Sequence, residues 1–108
     1  MPAHSSSSEK RREQRIPADL WIEVVRGGEL YYQRATNLSV GGAFFAQTIP
    51  LPLATRVSLT FTLPGDSREV ACAGEIVSTK ELGMGVRFLD LADEDRARLE
   101  ALVAKARG

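Results

Sequence analysis

The sequence predicts a mainly β protein: a small six-stranded antiparallel β-barrel with a C-terminal α-helix and a flexible N-terminal arm. Apolar and polar residues alternate with a period of two in several short runs, and Gly, Pro and Asp separate these runs. Helical periodicity is confined to the C-terminal segment. Short strands with tight turns, followed by one amphipathic helix, are typical of a closed or nearly closed barrel with a flanking helix.

Length and charge limit the possible functions. A chain of 108 residues is long enough for one domain with a single modest core. With 14 basic and 14 acidic residues the net charge is zero, so any attraction to phosphate must be local. The sequence lacks both an apolar run of the roughly 20 residues that span a membrane and the apolar core of a signal peptide. We therefore expect a cytoplasmic protein with no membrane insertion.

Residues 1–9 are predicted to be a disordered tail, and residues 10–107 a single domain. The only histidine, His4, lies in the tail, so the domain has no histidine to act as a base or a metal ligand. The only cysteine, Cys72, lies in an apolar run and is predicted to be a small buried hydrophobic residue. These features argue against an enzyme, a metal site and a cofactor.

A basic cluster, RREQR, occupies residues 11–15 at the start of the domain. Charge runs are usually solvated, but Arg11, Arg12 and Arg15 directly precede the first strand. A planar guanidinium pairs bidentately with phosphate or with the O6/N7 edge of guanine, and it stacks on bases. The spacing of four lets Arg11 and Arg15 face one ligand if the arm turns where it meets the barrel.

Six strands are predicted, at residues 20–25, 29–36, 43–46, 55–63, 68–79 and 84–89. Gly27 and Gly28 form a hairpin turn between the first two strands. Gly74 is predicted to mark a bend or bulge in the fifth. The pattern leaves open whether Trp21 and Tyr31 belong to the core or to an interface, the core being the commoner outcome.

The final helix is predicted to start with Asp93 as its N-cap, with acidic residues in its first turn. One apolar stripe, suited to docking on the barrel, is formed by Leu99, Leu102, Val103 and Ala106.

The sequence NLSVGG at residues 37–42 lies between the second and third strands. Asn37 and Ser39 place short polar side chains beside the backbone. Gly41 and Gly42 can adopt positive φ, at which successive N–H groups form a concavity that suits an anion. A side-chain-capped turn followed by a bulge would also explain this loop on its own.

Together, the arm and the loop make the chain resemble a PilZ domain. The RxxxR motif of that family is filled by Arg11 and Arg15, and its (D/N)xSxxG motif by Asn37, Ser39 and Gly42. The resemblance extends from about Lys10 to Lys105.

This resemblance implies a bacterial receptor that binds the second messenger cyclic di-GMP without catalysis. The arginines of the arm would grip guanine edges and phosphates, and Asn37 and Ser39 would hydrogen-bond the ligand. Gly42 would let the backbone approach it. Binding would order the arm and so regulate an unknown downstream protein partner, with one or two messenger molecules in the site.

Two alternatives remain open. One is a PilZ-like protein-interaction module that does not bind cyclic di-GMP, because Pro17 stiffens the chain directly after the arm. The other is a barrel that binds single-stranded nucleic acid through its aromatic residues. The neutral net charge and the confinement of the only dense basic cluster to the arm make nucleic acid the weaker alternative.

Overall fold

The computed structural model describes residues 14–107. Its elements are β1 (Ile16–Arg26), β2 (Glu29–Leu38), β3 (Gly42–Ala46), β4 (Arg56–Thr62), β5 (Glu69–Lys80), β6 (Gly83–Phe88) and α1 (Asp93–Arg107). The predicted fold class is confirmed. The strands form a closed antiparallel barrel in the order β1-β2-β3-β6-β5-β4.

The barrel has two distinct ends. The helix end holds the β2–β3 loop, the end of β6, the β4–β5 turn and α1. The hairpin end holds the β1–β2 turn, the connection at residues 47–55 and the β5–β6 turn. β1 starts at the helix end, so Arg15, directly before β1, and the loop after β2 lie at the same end.

The barrel is filled by the apolar residues that alternate along its strands. Ile22, Val24 and Leu59 are almost fully buried. The rings of Phe61 and Phe88 stack with their centroids 5.7 Å apart. Cys72 is buried, as predicted, and burial with the nearby charge of Asp90 raises the pKa of its thiol to about 12, so the thiol stays protonated.

β1 starts at Ile16, four residues before the predicted start. Pro17 was predicted to lie directly after the arm and before the first strand. It is accommodated near the beginning of β1, opposite Asn37, and an irregularity in register follows it before Leu20. Asn37 and Leu38 therefore belong to β2, and the loop proper begins at Ser39.

Gly74 was predicted to mark a bend or a bulge, and the bulge is wrong, because the register shift of β5 against β6 lies between Ile76 and Ser78. The absence of a side chain at Gly74 has a packing reason instead. A Cβ there would lie 2.8 Å from both Leu59 Cδ1 and Val86 Cγ2, too close for real atoms. The glycine thus makes room for the core of the barrel.

α1 closes the helix end, with Leu99 and Val103 buried against the barrel. Asp93 is not the N-cap: the carbonyl of Ala92 accepts the first helical bond, from the Arg96 N–H at 2.8 Å, which places Asp93 in the first turn. Asp93 still complements the positive end of the helix dipole.

Arg98 fastens α1 to the β4–β5 turn. Its guanidinium donates to Asp66 Oδ2 at 2.7 Å, to Asp95 Oδ1 at 2.6 Å and to the Arg68 carbonyl at 2.8 Å. The pKa of the Asp66 carboxyl is lowered, first by the hydrogen bond from the Arg68 N–H and then by the one from Arg98.

Replacing Arg98 with Met is expected to lower the melting temperature at pH 7 by a few degrees, since it keeps the length of the side chain and removes these bonds. The pKa of Asp66 is lower in the folded state than in the unfolded state. The stabilisation from its bonds with Arg98 is therefore present above the unfolded pKa and is lost as the pH falls below about 4. Thermal melts from pH 7 to pH 3 should therefore show the difference shrinking. Arg96→Met, which removes only an exposed pair with Asp93, is the control. Equal effects of the two changes would contradict the special role of Arg98.

Candidate functional site

The β2–β3 loop is organised by the hydroxyl of Ser39. Its Oγ accepts hydrogen bonds from the N–H groups of Gly41 and Gly42, at 3.2 and 3.1 Å, and donates to the Gly42 carbonyl at 3.2 Å. The same carbonyl accepts the Ser39 N–H at 2.8 Å. Ser39 is only 3% exposed, so it acts as the cap of a tight turn.

The anion-binding concavity expected from the paired glycines is not formed. Residues with positive φ are found elsewhere in residues 14–107, and neither Gly41 nor Gly42 is among them. Both N–H groups converge as the prediction required, but the Ser39 hydroxyl occupies the point of convergence. The alternative of a side-chain-capped turn describes the loop better, although the bulge lies before it, between Ala35 and Asn37 of β2.

Gly42 is required by the close approach of β3 to β6. A Cβ at this position would lie 2.1 Å from the backbone oxygen of Val86, well inside the contact distance. The next residue of β6, Arg87, is the ladder partner of Gly42, and the Phe88 N–H donates to the Gly41 carbonyl at 2.8 Å. The loop is therefore fixed to β6 on one side and to β2 on the other.

The arm and the loop meet through Arg15 and Asn37. Arg15 Nη1 donates to Asn37 Oδ1 at 2.8 Å, between residues 22 positions apart in the chain. The exposed Arg15 lies just before β1, and Asn37 is opposite Pro17 in the β1–β2 ladder. The structure thus brings together one residue from each of the two predicted motifs.

Arg15 differs from several other arginines of the domain in having no carboxylate partner among the described residues. Arg34 pairs with Asp19 at 2.9 Å, Arg87 with Glu75 at 2.7 Å and Arg96 with Asp93 at 3.1 Å. Within the part of the chain described, Arg15 pairs with the neutral amide of Asn37 and with no carboxylate. Its positive charge is therefore available to an anion, and most of its five N–H donors are unused by Asn37.

A groove of about 370 Å³ adjoins the loop at the helix end, and it is lined by Val40, Gly41, Phe88, Leu91, Arg96 and Glu100. The helix residues of this lining were missed in the sequence analysis, because the position of a helix against a barrel is not encoded in local periodicity.

Some predictions lie outside the described residues. These are the disordered tail with His4, the flexibility of the arm and the contacts of Arg11 and Arg12. Within residues 14–107 the structure contains no group of three or more His, Cys, Asp or Glu residues that could hold a metal ion. In the same range, no helix is long and apolar enough to cross a membrane.

Comparison with known proteins gives a family match and several similar structures. The family model of the PilZ domain matches residues 9–105. No curated protein matches the sequence. Among solved structures, the Bacillus subtilis inhibitor of motility (MotI/DgrA) has a TM-score of 0.75 at 18% identity, covering 89% of this chain and 51% of its own. The chain thus spans about half the length of that protein.

A second similar structure is the PilZ domain of CeSA from a cellulose-synthesizing bacterium. It has a TM-score of 0.67 at 22% identity, covering 89% of this chain and 100% of its own. An uncharacterized Legionella protein has a TM-score of 0.53 at 13% identity, covering 86% of this chain and 92% of its own. At these identities the likenesses support the fold alone.

Proposed function

The chain belongs to the PilZ domain family, a family of cyclic di-GMP receptor modules, and we propose that it binds cyclic di-GMP where the arm meets the β2–β3 loop. Binding, without catalysis, would order the arm and change the surface offered to a downstream protein partner. The proposed ligand-binding residues are Arg11, Arg12, Arg15, Asn37, Ser39, Gly41 and Gly42.

The observation that carries this proposal is the 2.8 Å hydrogen bond from Arg15 to Asn37. It holds the guanidinium of the arm beside the loop, which is where a ligand that bridges the two motifs would need it. Because Asn37 Oδ1 accepts from Arg15, its amide N–H groups are directed elsewhere and can donate to a guanine O6 or N7 or to a phosphate oxygen.

The loop residues divide into two roles under this proposal. Ser39 and Gly42 are buried and set the shape of the loop, while Asn37 and the exposed backbone of Gly41 are placed to touch the ligand. Arg15 contributes the uncompensated charge, and Arg11 and Arg12 would add to it. A dianionic ligand suits such a local cluster on a chain whose net charge is zero.

Isothermal titration calorimetry of cyclic di-GMP tests the proposal. The wild type is expected to bind with micromolar or tighter affinity, and Arg15→Ala to bind at least tenfold more weakly. This loss corresponds to about 1.4 kcal/mol, the lower range for a hydrogen bond to a charged group. Arg26→Ala, which removes an exposed arginine at the hairpin end, should leave binding unchanged.

Absence of binding by the wild type would overturn the receptor function and favour the protein-interaction module. Equal weakening by Arg15→Ala and Arg26→Ala would show a general charge effect and would remove the assigned site. Amide hydrogen exchange over residues 11–15 tests the ordering of the arm. Equal exchange with and without cyclic di-GMP would contradict it.

A further inference from the structure

The exposed large apolar residues lie toward the hairpin end, away from the proposed ligand site. Large apolar residues are more often buried in the core. Here Trp21 is 62% exposed and Tyr32 61% exposed on the outside of the β1–β2 hairpin, and Ile49 is 81% exposed. Leu30 and Tyr31 are exposed beside them. We call these five residues the aromatic edge surface.

Shared depressions in the protein surface make the aromatic edge surface continuous. Trp21 and Tyr32 line one depression of about 330 Å³. Tyr31 and Ile49 line another, of about 460 Å³, and the two have Gln33, Gln47 and Thr48 in common.

The exposed apolar area approaches that of a protein interface. With roughly 150–250 Å² for each aromatic side chain, the observed exposures give a total on the order of 600 Å². This is at the upper limit of the largest patch on a typical monomer, about 300–600 Å². It approaches the roughly 800 Å² that one partner contributes to a standard interface.

The same region contains an unpaired strand edge. The β2–β3 ladder runs only from Leu38 to Ala35, and β3 ends at Ala46. Residues 29–33 of β2 pair with β1 on one side, and on the other side their backbone bonds to no other part of residues 14–107. Proteins usually protect such an edge with proline, lysine or a bulge, and residues 29–33 contain none of these.

The hairpin turn determines which backbone groups are unpaired. Gly27 and Gly28 have φ of 57° and 85°, as in a two-residue type I′ turn, so Arg26 and Glu29 form the hydrogen-bonded pair that closes the hairpin. Bonded pairs then alternate along the ladder. The N–H and C=O groups of Leu30 and Tyr32 therefore point away from β1, toward the free side.

The charges around this surface favour a second copy of the chain as its occupant. The charges near this surface cancel, since they come from Glu23, Arg26, Glu29 and Arg34. The surface is therefore not cationic and does not attract anionic lipid or nucleic acid. The whole chain is also neutral, so two copies do not repel each other. An antiparallel pairing centred on Tyr31 would place Leu30 of each copy opposite Tyr32 of the other, with their outward backbone groups in register.

We propose that the protein forms a two-fold dimer through the β2 edge at residues 30–32, which covers Leu30, Tyr31 and Tyr32 of the aromatic edge surface. This dimer leaves the helix end of both copies free. The dimer does not depend on cyclic di-GMP binding, so it can be tested separately from the proposed function.

Sedimentation velocity from about 5 to 500 µM tests the dimer. The average mass is expected to rise from the 11.8 kDa of one chain toward twice that value. Tyr32→Lys, which places a charge beside the edge near Glu23, should weaken association at least tenfold.

Thr62→Lys introduces the same charge at an exposed position of β4 near the helix end and should leave association unchanged. A monomer at every concentration overturns the proposal, as does equal weakening by the two lysine variants. Flotation of monomeric protein with phosphatidylcholine vesicles, lost in Tyr32→Lys, would also overturn it and assign the surface to lipid.

Discussion

Replacing Gly42 with Ala is expected to reduce the free energy of unfolding by about 3 kcal/mol, at the upper end of the range for overpacking. The added methyl group would lie 2.1 Å from the Val86 backbone oxygen. Backbone cannot move aside as a flexible side chain does, so β3 would have to separate from β6. Urea denaturation followed by circular dichroism measures the loss.

The matched control is Gly65→Ala, in the β4–β5 turn. Gly65 has φ of 77°, and nothing lies within 4 Å of its Cβ position, so the substitution is opposed by conformation alone. A loss of about 1 kcal/mol is expected there. If the two substitutions destabilised the protein equally, the contact between β3 and β6 would not be the reason for the glycine.

Ser39→Ala is expected to reduce the free energy of unfolding by about 2 kcal/mol, because the buried N–H of Gly42 would lose its partner. Gly41 is an exposed residue, so its N–H can bond to water instead and should contribute less. Binding of cyclic di-GMP should weaken as well, since the loop that orients Asn37 loses its cap. Denaturation and calorimetry on the same preparation measure the two effects.

Ser58→Ala, at an exposed position of β4, is the control for Ser39→Ala and should change stability by less than about 0.5 kcal/mol. Unchanged stability of Ser39→Ala together with complete loss of binding would contradict the structural role of this hydroxyl. That result would assign Ser39 to direct contact with the ligand.

Much of the barrel could be predicted from the sequence because its strands have one buried and one exposed face. In β4, Val57, Leu59 and Phe61 alternate with polar residues, and all three are buried. The errors arose at residues whose conformation depends on distant neighbours. Pro17 joins β1 because Asn37 lies opposite it, and Gly74 serves the packing of Leu59 and Val86.

The resemblance to PilZ domains implies that Arg15 and Asn37 serve one site, and the structure joins them by a hydrogen bond. The role of the whole residue set in ligand binding stays a prediction. Nothing in the local sequence reveals that Ser39 fills the space between the two glycine N–H groups, since a serine beside glycines suits a ligand and a turn equally well. The exposure of Trp21 could not be predicted either. The alternation of residues along β1 defines two faces of the strand, but it does not show whether another protein covers the outer face.

The cap formed by Ser39 and the contact of Gly42 with β6 also affect how PilZ-like sequences should be interpreted. Selection for folding alone would keep both residues, whether or not a chain still responds to the messenger. Their presence in a genome therefore identifies the barrel rather than the receptor. More informative positions for annotation are those whose side chains lie outside this framework, such as Arg15 and the Asn37 amide that meets it.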